Sequence, residues 1–331
     1  LANIWETYDE FSRILDLWNP IMDNLPWHFL VNPAAARGRA ADRWQRMLPQ
    51  LEAALPTMSW ELSTTEEGLS HLAEQAVRAG HRHIVGVGGD GTHHEIVNGL
   101  VAAGLPDDLV YLPLPSGSGN DWVRTLRVPR KLEQWLAMLP QATTINHAVG
   151  RLEFCSTPSD ETPDSEKYFI NVAGMAYDAE VVRRAEKSPL KRRLLYPMLT
   201  LAFLGDYSAP TVQIQWDGGQ RTCPVHTINL GLGRYSGGGM SLVPHADPTR
   251  GDFALTFAER LPIWKILVHS WRFYTDTIGK VPEVTTVHTN SITVTPTEGQ
   301  LELEADGEWL GYGLVRAEIL PQKLRVVVPK K

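Results

Sequence analysis

Apolar positions change their spacing twice along this chain, and each change marks a change of architecture. Residues 3–18 follow a helical period, with Ile4, Tyr8, Phe11, Leu15 and Trp18 on one face and Trp5 and Ile14 beside them. Asn3 and Glu6 resemble a capping box, and Asn19-Pro20 ends the segment. From Trp27 short apolar runs alternate with helical patterns. Strands are expected at 28–31, 58–62, 83–87 and 110–113, and helices at 34–55, 68–79, 95–103, 120–125 and 132–139. Such alternation predicts a parallel sheet with helices on both faces. Ligands of such sheets bind beyond the carboxyl ends of the strands, where the turns at Asn32, Thr64, Asp90 and Gly117 fall.

After about residue 146 strand-like runs take over, at 147–154, 168–173, 211–216, 222–232, 253–257, 284–288, 291–295, 301–305 and 324–328. They predict a β-sandwich or open barrel interrupted by two helices near 178–204 and 262–278. The expected organisation is a helical extension (1–26), an α/β Rossmann-like nucleotide-binding domain (27–146) and an all-β sandwich domain for the substrate (147–331).

Composition narrows the classes. A length of 331 residues suits about two domains, and 43% hydrophobic residues can build a sizeable core. A net charge of −7 argues against nucleic acid as a partner. Cys155 and Cys223 lie far apart without CxxC or CxxH spacing, which argues against a disulfide framework or a zinc site. No run approaches the ~20 apolar residues of a membrane-spanning helix, and 194–204 is short and carries Pro197. The first residues lack the basic and apolar stretches of a signal peptide. The expectation is a cytoplasmic protein, with peripheral membrane contact and homo-oligomerisation left open.

The most informative stretch is 85–97. An apolar strand breaks into Gly86, Gly88, Gly89 and Gly91 around Asp90, with Thr92, His93 and His94 leading into a helix. Strand, glycine turn and helix aim backbone N–H groups at an anion, usually a phosphate. Asp90 would repel that phosphate unless it holds Mg²⁺ against it or joins the chemistry. Gly86, Gly88 and Gly91 also fit G-x-G-x-x-G, but a dinucleotide fingerprint belongs to the first strand–helix turn, and 27–55 precedes it here. No Lys follows Gly91, so the turn is not a Walker A loop. A second small-residue turn, Gly117-Ser118-Gly119-Asn120-Asp121, follows the next strand and is expected to form the other wall of the site. No G-x-S-x-G or HExxH occurs, and the eleven histidines are scattered.

These motifs, with Asn32-Pro33 and Gly38, Thr64-Thr65 and Gly68, and Asp306-Gly307-Glu308, resemble the diacylglycerol kinase catalytic-domain family, which includes bacterial lipid kinases and sphingosine and ceramide kinases. The resemblance covers roughly 27–329 and implies an active site in a cleft between the two domains. It also implies ATP contacts from Asn32, Gly38, Thr64, Gly88, Gly89, Asp90, Gly91, Thr92, His93, His94, Gly117, Ser118, Gly119 and Asn120. Asp90 would lie at the Mg²⁺–phosphate centre, and Asp306 or Glu308 would be the base.

Three features depart from the family pattern. Ala36 stands where glycine is common, and His93-His94 replace an aliphatic-Asn pair. Adjacent helical residues point about 100° apart, which argues against joint metal ligation by those histidines. Arg250 replaces an aspartate in the loop where some members hold a structural metal, leaving Asp247 and Asp252 as its candidate ligands.

Alternation in 301–306 puts Leu301, Leu303 and Ala305 on the core face and Glu302, Glu304 and Asp306 on the other. Glu302 and Glu304 read as a solvated edge, and Asp306, beside Gly307-Glu308, as functional. Six cations (Arg183, Arg184, Lys187, Lys191, Arg192 and Arg193) precede an apolar stretch and suggest a bilayer-docking collar. The expected activity is an ATP- and Mg²⁺-dependent lipid kinase acting on diacylglycerol or a related lipid. The alternatives are an NAD kinase-like small-molecule kinase and a non-catalytic lipid-binding module.

Overall fold

The computed structural model of the chain describes residues 25–35, 39–64, 68–117, 119–187, 205 and 207–330. The helix expected at 3–18, Gly38, Ser118, and Lys191, Arg192 and Arg193 with the apolar stretch behind them lie outside the described residues.

The described chain divides into two units. The first contains the residues up to Gly117, Leu126–Ile145 and the chain from Arg325. Its sheet is built on β1 (Trp27–Val31), β2 (Ser59–Leu62), β3 (His83–Gly88), β4 (Val110–Pro115) and β5 (Thr143–His147). β1 pairs in parallel with β2 and β3, and β3 with β4. β1 and β4 are buried at every position, as near-continuous apolar strands covered on both faces must be. Helices α1 (Arg39–Ala54), α2 (Leu69–Arg78) and α3 (Asp90–Ala102) connect these strands. The short α4 (Asp121–Thr125) and α5 (Leu132–Met138) follow β4. α2 and α3 approach closely because Gly99 has no side chain: a Cβ there would collide with the Ser70 carbonyl.

One strand moves from where the sequence reading put it. The run at 324–328, grouped above with the β-rich half, pairs in parallel with β4 and lies between β4 and β5. Its sequence, Leu-Arg-Val-Val-Val, is nearly continuous in apolar residues, the pattern of a central parallel strand and not of a half-exposed antiparallel one.

The second unit contains 119–125 and Asn146–Leu324. It holds β6 (Gly150–Cys155), β7 (Ser165–Phe169), β8 (Val172–Ala176), β9 (Thr211–Trp216) and the long β10 (Gly219–Gly231). A two-residue ribbon, β11 (Tyr235–Ser236) with β12 (Met240–Ser241), precedes β13 (Phe253–Glu259) and β14 (Val284–Thr289). β15 (Ser291–Glu298), β16 (Glu302–Ala305) and β17 (Glu308–Ile319) complete the unit, and 324–328 is β18. The antiparallel order is β14-β13-β10-β8-β16-β17-β15-β9, and β9 pairs again with β10. The hydrogen bonding therefore closes on itself, so the sandwich or open barrel expected here is closed into a barrel. Val212, Ile214, Ile228, Leu230, Leu303 and Val315 are among the residues that fill it. α6 (Tyr177–Lys187) and α7 (Ile263–His269) fall where helices were expected.

Two further differences concern the site. The run expected as one strand at 168–173 is broken at Ile170-Asn171, and β17 has no counterpart in the sequence reading.

Candidate active site

β3 runs on to Gly88, and the helix begins at Asp90, so the glycine turn is Gly89 alone, extended at φ −114° and ψ −167°. α3 therefore starts five residues earlier than its apolar pattern suggested. Asp90 sits in its first turn, half-buried, where the positive end of the helix dipole also favours a carboxylate. Gly88 O accepts from Ser116 N (2.7 Å) and Gly117 N (2.9 Å), so the turns after β3 and β4 meet backbone to backbone. A Cβ on Gly117 would collide with Gly89 Cα, and one on Gly88 with the Thr92 side chain. Arg43 Nη1 fixes the second turn by donating to Ser116 O at 2.8 Å.

Asn32 braces the same place. Its Oδ1 accepts from Ala34 N (3.0 Å) and Ala35 N (3.1 Å), and its Nδ2 donates to Thr92 Oγ1 (3.3 Å). The structure thus brings Asn32, Gly88, Gly89, Thr92 and Gly117 together at the carboxyl ends of β1, β3 and β4. Thr64 is exposed just past β2, and Gly68 precedes α2. The sequence reading missed Glu95, whose Oε2 accepts the Leu69 N–H at the start of α2 (3.3 Å). Asn120 and Asp121 belong to the second unit, where Asp121 Oδ2 accepts from Gly238 N at 2.7 Å.

Two of the expected ATP contacts are packing residues in this structure. The His93 side chain has no exposed surface, and its Nδ1 lies 2.7 Å from the Tyr111 hydroxyl. Burial holds this imidazole neutral, pushing its pKa down to about 3. His94 is also buried, and its carbonyl accepts from Asn98 Nδ2 at 2.8 Å. The helix start at Asp90 turns both side chains into packed surroundings instead of onto the turn.

In the suggested metal loop both carboxylates have partners within the loop. Arg250 engages Asp252 through Nε (3.0 Å) and Nη2 (2.8 Å), supplying the positive charge itself. Asp247 Oδ1 accepts from Thr249 N at 2.9 Å and Oγ1 at 2.7 Å. Among the described residues no cluster of three or more His, Cys, Asp or Glu could hold a metal ion.

In the second unit, Asp306-Gly307 is the two-residue turn between β16 and β17, with φ of +53° and +86°. Positive φ at both positions is what a tight hairpin with an Asp-Gly pair adopts. Asp306 does more than turn the chain. Its Oδ1 accepts from Asn171 N (2.9 Å) and Val172 N (3.2 Å), and its Oδ2 from Ile170 N (3.1 Å). Its own N–H donates to Val172 O at 2.8 Å. This clasp is what breaks the expected 168–173 strand, because three successive amides turn to a carboxylate. Glu308 opens β17 opposite Ala305 and is half-buried.

Comparison with known proteins matches these two regions separately. Residues 26–152 match the diacylglycerol kinase catalytic domain, and residues 171–328 the YegS C-terminal NAD kinase beta sandwich-like domain. Between them the two matches take in most of the chain. The chain is similar to the diacylglycerol kinase catalytic-domain family.

Two relatives are similar along most of their length. The diacylglycerol kinase of Bacillus subtilis (strain 168) is 25% identical, over 91% of this chain and 96% of its own. A "Probable lipid kinase YegS-like" of Pseudomonas syringae pv. syringae is 28% identical, over 82% of this chain and 85% of its own. A solved diacylglycerol kinase from Bacillus anthracis str. Sterne shares the fold, with a TM-score of 0.66 at 19% identity over 92% of this chain and 96% of that one. Among the described residues no helix is long and apolar enough to cross a membrane.

In this chain the outer face of the barrel is polar where α6 covers it. β16 is an inner strand between β8 and β17, so Glu302 and Glu304 are buried, not a solvated edge. Glu302 Oε2 accepts from Arg183 Nε (2.7 Å) and Trp309 Nε1 (3.1 Å), and Arg183 Nη2 also donates to Glu180 (2.6 Å). Arg184 pairs with Glu180 too. Two of the six cations in the suggested docking collar are therefore committed to this layer. Asp178 accepts from the Thr227 hydroxyl and from Asn229 Nδ2 (2.9 Å).

Glu304, 1% exposed, accepts the Gly307 N–H at 2.9 Å and so supports the Asp306 turn. Burial pushes its pKa well above the carboxylate range against that hydrogen bond, and the nearby Asp178 charge adds to the rise. A carboxyl raised on folding binds its proton more tightly in the native state. It therefore favours folding below its unfolded pKa, and that contribution is lost as pH climbs towards the folded value. Glu304→Gln keeps the acceptor and removes the titration. Denaturant midpoints from pH 4.5 upward should fall more steeply for wild type than for this variant, and parallel curves would contradict the assignment.

A shallow apolar groove lies between β10, β13 and β14 and the segment containing α7. Its walls include Leu242, Ala258, Leu261, Ile266, Phe273 and Val281. Thr227 and Asn229, the side chains that hold Asp178, also line it.

Proposed function

We propose that this chain is an ATP- and Mg²⁺-dependent kinase that phosphorylates a hydroxyl of diacylglycerol or a related lipid, such as a sphingoid base, ceramide or monoacylglycerol. The observation that carries the reading is the Gly88–Thr92 turn. There a helix begins one residue after a buried strand, side chains are excluded by the approach of Gly117, and the first helical residue is a carboxylate.

Backbone amides at the start of α3 suit the phosphates of ATP, which favour the positive end of a helix. The half-buried Asp90 carboxylate is a hard oxygen donor of the kind Mg²⁺ takes together with substrate phosphates. When bound, Mg²⁺ neutralises charge on the phosphates being parted. Asn32 and Thr92 hold the turn in shape through their mutual hydrogen bond. Glu308 is the general base for the acceptor hydroxyl. Asp306 is a positioning residue, since both its oxygens already accept backbone N–H groups and fix the hairpin that carries Glu308. The apolar groove takes the acyl or alkyl chain of the acceptor.

The test is transfer of labelled phosphate from ATP to diacylglycerol, sphingosine, ceramide and monoacylglycerol, with NAD as a further acceptor, with and without Mg²⁺. One lipid should be labelled in a Mg²⁺-dependent way. Labelling of NAD alone, or of no acceptor by a protein that binds ATP, would overturn the proposal.

A further inference from the structure

α7 and the 3₁₀ segment Ser270–Tyr274 that follows it bury none of their side chains. Ile266, His269 and Phe273 face the groove, and Ile263, Trp264, Leu267, Val268, Trp271 and Tyr274 are exposed. Six of the eight large exposed apolar side chains among the described residues fall within these twelve positions, so the patch is concentrated, not scattered. Trp264 is 62% exposed and Trp271 52%. Positions 264, 267, 268, 271 and 274 follow a helical stripe.

The surroundings specify the kind of partner. Residues 260–283 carry Arg260, Lys265, Arg272 and Lys280 against Asp276 and Glu283, a local positive excess in a chain of net charge −7. Lys265 Nζ lies 5.8 Å from the centre of the Trp264 ring, and Arg272 Cζ 4.7 Å from that of Trp271. Lys265 also pairs with Glu283. Indole and phenol rings flanked by cations favour the boundary between lipid headgroups and acyl chains. The same segment that shows this face outward lines an apolar groove with its other side.

We propose that the Ile263–Tyr274 face seats the protein on an anionic lipid bilayer, which brings the mouth of the groove to the surface where an acceptor lipid resides. The proposal takes its purpose from the lipid-acceptor reading, but bilayer binding requires no turnover, so the two can fail separately.

The full chain is sedimented with vesicles of phosphatidylcholine and phosphatidylglycerol in equal amounts, and with phosphatidylcholine alone. Wild type should partition onto the mixed vesicles, more weakly onto the neutral ones. Trp264→Ala/Trp271→Ala should partition at least about tenfold less, the scale of withdrawing large apolar side chains from a hydrocarbon boundary. Without vesicles its thermal midpoint and mass should match wild type, since both indoles face solvent. The variant should keep its rate on a monomeric short-chain acceptor and lose rate on the same acceptor class embedded in vesicles. Equal partitioning of the two proteins would overturn the proposal. So would a lowered midpoint or changed mass in the absence of lipid, which would mean that residues 3–18 or a second copy cover this face. Loss of all transfer with vesicle binding as expected would overturn the lipid-acceptor reading and leave the docking face standing.

Discussion

Asp90→Asn should lower phosphoryl transfer by on the order of 10³-fold or more while leaving the protein folded. The size follows from what is removed. A carboxylate in the first turn of α3 is proposed to organise the metal at the phosphates, and single preorganised electrostatic elements contribute on this scale. The fold should survive because the exchange is isosteric. The part of the folding free energy that the charge contributes at the helix N-terminus is about 0.3–1 kcal/mol. Steady-state kinetics over a range of Mg²⁺ concentrations, alongside thermal melting, check both halves. Near-normal activity in this variant would remove Asp90 from the chemistry and leave it a helix-stabilising residue.

The second large effect separates two carboxylates that sit two residues apart. Glu308→Gln should lower kcat by about 10²–10⁴-fold, the usual span of general base catalysis, with little change in stability or in the KM for ATP. Asp306→Ala should act on the fold instead. It strands the N–H groups of Ile170, Asn171 and Val172 and places alanine at φ +53°. Three lost bonds to a carboxylate come to roughly 4.5–9 kcal/mol. Denaturant unfolding and single-turnover kinetics distinguish the two. If Asp306→Asn folds normally and loses transfer while Glu308→Gln retains it, the roles are exchanged.

Much of the α/β unit was legible because its strands are continuous apolar runs and its helices repeat every three to four residues. The Gly88–Thr92 and Gly117–Asp121 motifs were legible as tight turns at strand ends, since small residues there let the backbones meet. The inner face of α3 was not. Nothing in the sequence separates a histidine on a turn from one beneath a sheet, and only the helix start at Asp90 decides that His93 meets Tyr111. Glu302 and Glu304 misled for a related reason. Alternation assigns a face, and whether that face meets water depends on a helix, α6, contributed by another part of the chain. β17 was hidden by Gly311 and Gly313, which interrupt the alternation. At Gly311 a side chain would press on Cys155 O, and Gly313, at φ +82°, falls where the pairing with β6 shifts register. The Asp306-Gly307 pair is itself a hairpin signal, and weighed as such it would have revealed the strand.

The position of β18 bears on how the protein is made. Because this strand lies between β4 and β5, a nascent chain that has released only the first 146 residues lacks an interior strand of its first sheet. β4 then presents an unpaired, fully apolar edge until the β unit has been synthesised, an exposed template for aggregation. On the ribosome the α/β unit is thus completed last, not first, and a fragment cut at residue 146 would be a poor vehicle for testing the proposed ATP site.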